Sequence, residues 1–176
     1  LFTIIKINSF FYYTLTTSLL IVYSLTIRFS AFDLDINVYA NSMESSKVSL
    51  YYFKEPVFWL GSRILYQILG SKELVFCFYD LLCFSLILFA QERLKFPRYF
   101  IFIVLIFFPS VMGMQNVYRQ FIACSFLIFS IALVQTGSTK SSFIFFVLSG
   151  LSQNVGFLFF PLFFLFNFKN KRPSYK

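Results

Sequence analysis

Long apolar runs separated by short polar breaks make up most of the chain, and their lengths fit a bilayer better than a soluble core. A helix needs about 20 mostly apolar residues to cross hydrocarbon roughly 30 Å thick. Five runs approach that length, at residues 10–27, 74–90, 99–114, 116–134 and 143–168. Arg28 closes the first, Ser71-Lys72-Glu73 precedes the second, and Gln135-Thr136-Gly137-Ser138 follows the fourth. Pro109 lies inside the third, where its missing N–H predicts a kink. Ser152-Gln153-Asn154 and Pro161 interrupt the fifth, which predicts a broken, re-entrant pair of half-helices. The pattern predicts an all-α fold: a polytopic transmembrane helix bundle forming a single integral membrane domain over residues 1–176. The first run is longer than the apolar core of a signal peptide and no A-x-A-like site follows, so it reads as a retained anchor. The chain begins at Leu1, which implies an unusual start codon or a piece of a longer protein.

Residues 28–55 form the longest polar stretch and are expected to be an outer loop, carrying Asp33, Asp35, Asn37, Asn41 and Glu44. Residues 56–69 then read as an amphipathic helix, opened by Glu55-Pro56 and closed by Gly70. Val57, Leu60, Ile64, Leu65 and Ile68 share one face, with Ser62, Arg63 and Gln67 away from it. At about 1.5 Å per residue this helix is too short to span comfortably, so it is expected at the membrane interface. The excess of Lys and Arg on cytoplasmic loops then fixes the layout. Lys6, Arg93, Lys95, Arg98 and Lys140 face the cytoplasm; the 28–55 loop and Arg119 face outwards. The basic tail from Lys169 to Arg172 returns to the cytoplasm only if the last run is broken.

Composition supports this picture. The 176 residues are 59% hydrophobic, include 29 phenylalanines, and are only 12% charged, against about 25% in soluble domains. The net charge of +8 does not indicate nucleic acid, because the basic residues sit between apolar runs and in the tail. Cys77, Cys83 and Cys124 lie within apolar runs, there is no histidine, and no CxxC occurs. No metal, redox site or cofactor is therefore expected, and no P-loop, GxSxG or HExxH motif appears.

Four places could carry chemistry. Glu55, at the start of a helix, either complements its dipole or accepts a proton from a substrate hydroxyl. Arg119 either snorkels to lipid headgroups or, flanked by Asn116 and Gln120, grips a phosphate through charge-assisted bonds. Asp80 is an ionisable group inside a span, which costs about 2.5–3.5 kcal/mol on insertion scales and calls for a partner. Arg63 or Arg119 are the expected partners, in a structural ion pair. Gln153 and Asn154 either cap a helix break or line a cavity. A non-enzymatic reading also stands, as a transporter fragment or lipid-carrier-binding scaffold. Asp80, Arg63 and Arg119 would then form a charge network.

The motifs, taken in order, resemble a known family. They are Asp33-Leu34-Asp35-Ile36-Asn37-Val38-Tyr39, Lys54-Glu55-Pro56, Asn116-Val117-Tyr118-Arg119-Gln120-Phe121-Ile122-Ala123, and Leu151-Ser152-Gln153-Asn154 running on to Pro161. This order is similar to that of EpsG-like, Wzy-type bacterial polysaccharide polymerases, over about residues 10–168. The resemblance implies glycosyl transfer at the outer leaflet of the bacterial cytoplasmic (inner) membrane by a multi-pass protein. A glycan would leave its undecaprenyl pyrophosphate carrier and join another lipid-linked repeat unit, building envelope polysaccharide such as O-antigen or capsule. In that reading Arg119, helped by Arg28 or Arg63, meets the departing pyrophosphate. Glu55 is the first choice for the group acting on the acceptor hydroxyl and Asp35 the second. Asn116, Gln120, Gln153 and Asn154 contact substrate. Membrane lipid, a chain-length regulator and a flippase are the implied partners. Family members carry histidine where this chain has Gln153, which puts an acid–base role there in doubt. The chain also stops where the family adds further helices, so it reads as the N-terminal part of such a polymerase, or a shortened and inactive version.

Overall fold

The computed structural model describes residues 9–30, 32, 34–45, 49–161 and 165. Lys6, Asp33, the basic tail and the end of the last apolar run lie outside them. Among the described residues every regular element is helical. The order is α1 (Ser9–Ser30), α2 (Leu34–Glu44), a 3-10 turn (Leu50–Lys54), α3 (Pro56–Leu69) and α4 (Lys72–Arg93). Then come α5 (Phe100–Ile106), α6 (Phe108–Gln115), α7 (Tyr118–Gln135), α8 (Thr139–Ser152) and a second 3-10 turn (Asn154–Phe159). Helices α1, α4 and α7 are each long and apolar enough to cross a membrane. The protein is an all-α membrane bundle in which α7 packs along α8 on one side and α4 on the other, with α1 against α4.

The bundle buries several polar groups within its apolar core and leaves many large apolar side chains exposed, which a lipid solvent tolerates. On α1 the buried residues are Tyr12, Thr16, Leu20, Ser24 and Arg28, every fourth position, while Phe10, Phe11, Val22 and Phe29 are exposed. Lipid is as apolar as leucine, so helices in it associate through close packing and interhelical hydrogen bonds. The α7–α8 seam has both. Ser130 Oγ donates to the Ser142 carbonyl at 2.8 Å and Ser142 Oγ returns a bond to the Ser130 carbonyl at 2.7 Å. Two turns further along, Ser149 Oγ donates to the Ala123 carbonyl at 2.7 Å.

Two of the apolar runs are broken by their own sequence. Residues 99–114 divide into α5 and α6 at Phe107, whose ψ of 118° leaves the helical region. Pro109 explains the break, since a proline has no N–H to continue the ladder. The last run breaks at Gln153, whose backbone is extended (φ −157°, ψ 133°). The second 3-10 turn then folds back on α8. A Cβ at Gly156 would lie 2.7 Å from the Ser149 carbonyl carbon and 2.8 Å from the Gly150 nitrogen, so only glycine permits this approach.

The polar stretch after α1 differs from the expected loop. Arg28 lies within α1, and residues 34–44 form α2, because Ile36, Ala40 and Met43 make a buried stripe at helical spacing. Helix α3 has the expected ends. Pro56 stands in its first turn, and Gly70, at φ 68°, donates its N–H to the Tyr66 carbonyl. Phe58, Trp59 and Ser62 turn inwards, while Ile64 and Ile68 face out. The aliphatic stripe covers the outer surface, and the aromatic face fills the space between α2, α4 and α8.

Candidate functional site

Glu55 joins the first 3-10 turn to α3 and is only 3% exposed. It makes no side-chain cap to its own helix. Its carboxylate instead reaches across the bundle, where Oε2 accepts from Arg119 Nη1 and Oε1 accepts from the Asn154 backbone N–H at 3.2 Å. Arg119 is the second residue of α7, at a helix end where positive charge is unfavourable. The Glu55 carboxylate offsets that. Arg119 Nη1 also donates to Tyr51 Oη at 3.0 Å, and Nε to Tyr39 Oη at 3.4 Å. Three rings surround the guanidinium, with its carbon 5.2 Å from the Trp59 centroid, 5.5 Å from Tyr39 and 6.0 Å from Tyr51. Such contacts hold a cation in place while leaving part of it free to meet a ligand.

A cavity of about 220 Å³ opens beside this pair, lined by Asp35, Tyr39, Asn116, Arg119, Gln120 and Gln153. Asp35 stands in the first turn of α2 and lines the cavity. Gln153 presents a buried Oε1 that has no hydrogen-bond partner among the described residues. A buried carbonyl left unpaired costs about 1–3 kcal/mol, so this atom is poised to accept a bond from a ligand. Its backbone is meanwhile fixed, its N–H donating to Ser149 and its carbonyl accepting from Gly156. The arrangement gathers a carboxylate, a guanidinium, several amide groups and aromatic rings around one small space. Those are the groups that bind phosphate and sugar hydroxyls.

The structure thus brings together Glu55, Arg119, Asn116, Gln120, Gln153, Asn154 and Asp35. It does not bring Arg28 or Arg63 to them. Arg63 donates to the Ser42 carbonyl at 2.9 Å and lies over the Tyr52 ring at 4.6 Å, tying α3 to the end of α2. Arg28 corrects the expected partnership of Asp80, which pairs with neither Arg63 nor Arg119. Arg28 Nε and Nη2 donate to the two Asp80 oxygens at 2.7 and 2.8 Å, with both side chains almost fully buried. Ser24 Oγ donates to Asp80 at 2.7 Å, Tyr118 Oη donates to it at 2.8 Å, and Arg28 also reaches the Met114 carbonyl at 3.1 Å. The reason is angular. Neighbouring residues on a helix point about 100° apart, so Tyr118 turns into the bundle towards Asp80 while Arg119 turns to Glu55. The expected charge network of Asp80, Arg63 and Arg119 is replaced by two separate pairs, Arg28–Asp80 and Arg119–Glu55.

Sequence reasoning missed the roles of Tyr51, Trp59 and Tyr118. The signal was present in the aromatic residues flanking Glu55-Pro56 and in the tyrosine beside Arg119. The sequence profile of the EpsG family matches residues 10–176. Searches of curated proteins and of solved structures find no match to the chain. With that match covering nearly the whole chain, and with the separated motifs meeting at one cavity, the protein belongs to the EpsG family of Wzy-like polysaccharide polymerases.

Proposed function

We propose that this chain extends envelope polysaccharide by glycosyl transfer between lipid-linked repeat units, as a multi-pass protein of the bacterial cytoplasmic membrane, at its outer leaflet. The donor is a glycan on undecaprenyl pyrophosphate, and the acceptor is a hydroxyl on the end sugar of a second lipid-linked unit. The acceptor oxygen forms a bond to the donor's anomeric carbon as the bond from that carbon to the pyrophosphate oxygen breaks. The acceptor proton passes to Glu55, with Asp35 of the cavity lining as the second choice. Negative charge builds up on the departing pyrophosphate, and Arg119 meets it with fixed, charge-assisted donors. Gln120, Asn116 and Gln153 orient sugar hydroxyls in the cavity, and Asn154 holds Glu55 through its backbone N–H.

The observation that carries this reading is the meeting of Glu55, Arg119 and Asn154, which lie far apart in the chain, on one carboxylate. The pair lies beside a cavity rich in amides rather than in a closed core. Replacement of Arg119 by Ala in the host is expected to abolish long polysaccharide chains and leave single repeat units. Unchanged long chains in that strain would overturn the proposal.

A further inference from the structure

An arginine carries five N–H donors, and the protein contacts of Arg119 use three of them. Nε donates to Tyr39 Oη at 3.4 Å, and the two Nη1 hydrogens go to Tyr51 Oη and the Glu55 carboxylate. The two on Nη2 have no acceptor among the described residues. The two tyrosines also differ. Tyr51 Oη accepts from Arg119 at 3.0 Å and donates its own hydrogen to Glu55 Oε2 at 3.5 Å. Tyr39 Oη accepts from Arg119 through a lone pair, and its hydrogen has no acceptor among the described residues. The Tyr39 ring is held edge-on by Phe58 and Trp59, with centroids 5.2 and 5.6 Å away. Tyr39 and Arg119 both line the cavity of about 220 Å³. Spare donors on a fixed phenol and a fixed guanidinium therefore sit side by side at one wall.

We propose that Tyr39 is a further catalytic residue, whose hydroxyl donates to a pyrophosphate oxygen of the lipid-linked donor alongside Arg119 Nη2. The ligand is taken from the polymerase reading, on which this inference rests. The bond from the anomeric carbon to the pyrophosphate oxygen breaks with its electron pair staying on that oxygen. Negative charge therefore grows as the reaction proceeds, and a fixed donor is worth more in the transition state than before it. Tyr39 keeps its proton throughout, because pyrophosphate is a good leaving group and needs no acid. Asp35 stands four residues earlier on the same side of α2, about 6 Å nearer the helix start, and lines the same cavity. Its carboxylate repels phosphate and accepts from sugar hydroxyls. Helix α2 thus sets a polarity across the cavity, with phosphate at the Tyr39 end and sugar at the Asp35 end.

Trp59 supplies a reporter. It is the single tryptophan of the chain, and its ring centroid lies 5.2 Å from the Arg119 guanidinium carbon. The intact chain is held in micelles of a polyoxyethylene detergent, which carries neither phosphate nor sugar. Inorganic pyrophosphate is titrated in at constant ionic strength while Trp59 emission is followed, and a saturable change gives Kd. Tyr39→Phe keeps the ring and its packing, and is expected to raise Kd roughly 10- to 100-fold, the range for a hydrogen bond to a charged group. Tyr51→Phe should raise Kd by less, although the bond it removes from Arg119 is the shorter one. If Tyr39 served only to hold Arg119 in place, that order would be reversed. Asp35→Asn should lower Kd, because it removes a like charge. Should Tyr39→Phe not fold, a ring-fluorinated tyrosine at position 39, nearly isosteric and a stronger donor while protonated, should lower Kd at mildly acidic pH. No saturable binding by wild type, an effect of Tyr51→Phe as large as that of Tyr39→Phe, or an unchanged Kd with the fluorinated residue overturns the assignment. Failure of Asp35→Asn to tighten binding overturns the polarity. The polymerase reading is judged separately. Binding in the expected order by a protein whose host makes no long chains refutes that reading and keeps Tyr39 as an anion donor. Normal long chains with Kd unchanged in Tyr39→Phe do the reverse.

Discussion

Replacing Asp80 with Asn tests the buried framework that aims the catalytic end of α7. Asp80 accepts four hydrogen bonds, from Arg28 Nε, Arg28 Nη2, Ser24 Oγ and Tyr118 Oη. Asn keeps the size but loses the charge, and its NH2 group cannot accept from Arg28 or Ser24. The Arg28 cation, 3% exposed, is then left without its counter-charge. Removing one partner of a buried pair costs roughly 3–5 kcal/mol, a large part of the roughly 5–15 kcal/mol that holds a domain folded. For a chain of this length that corresponds to a fall in Tm of roughly 10 °C, measurable by thermal unfolding of the detergent-solubilised protein. The double variant Arg28→Met with Asp80→Leu removes both charges, and should recover most of the loss, because an apolar pair avoids the desolvation penalty. A single variant as stable as wild type, or a double variant no better than the single, would refute this account of the pair.

Other outcomes follow from the same geometry. Gly156→Val should detach the second 3-10 turn from α8, because its Cβ would meet backbone at 2.7–2.8 Å. A loss of about 1–3 kcal/mol, seen as a lowered Tm, should be accompanied by loss of long polysaccharide. Tyr51→Phe keeps the ring but removes the oxygen that Arg119 Nη1 bonds at 3.0 Å. It should shorten chains while changing stability by only about 1 kcal/mol. Ser130→Ala removes one reciprocal bond of the α7–α8 seam, and unfolding should show a loss of about 0.6 kcal/mol, the usual size of such bonds in membrane bundles. Cysteines introduced at Lys95 and at Asn41, both exposed, should be labelled from opposite sides of the membrane. Labelling from one side would refute the topology.

The long helices were legible because a bilayer imposes a simple length rule, and α1, α4 and α7 obey it. The break at Gln153 was legible from the polar Ser152-Gln153-Asn154 interruption, and the ends of α3 from Pro56 and Gly70, which act through local backbone geometry. Helix α2 was not, because its three buried residues are spread among polar neighbours and its partner α3 lies beyond the next turn. The inward face of α3 was not read from the sequence, for a related reason. In lipid an aliphatic stripe is as content outside as inside, so hydrophobicity alone cannot orient a short helix. The site residues were readable as motifs, but the pairing between them was not. Arg28, Arg63 and Arg119 are equivalent cations in the sequence, and only the rotation of each on its helix decides that Arg28 meets Asp80 while Arg119 meets Glu55. The packing that sets those rotations depends on side chains such as Tyr118, whose hydroxyl bridges Asp80 and the Phe76 carbonyl.

The central claim is that Glu55, held by Arg119 and the Asn154 N–H, takes the acceptor proton in glycan polymerisation. Glu55→Gln is nearly isosteric and cannot take that proton, so gel analysis of polysaccharide from a host carrying it is the most direct measurement. The account predicts single repeat units in place of the long-chain ladder, from a protein that still reaches the membrane in wild-type amount. A full ladder of wild-type length in that strain would contradict it.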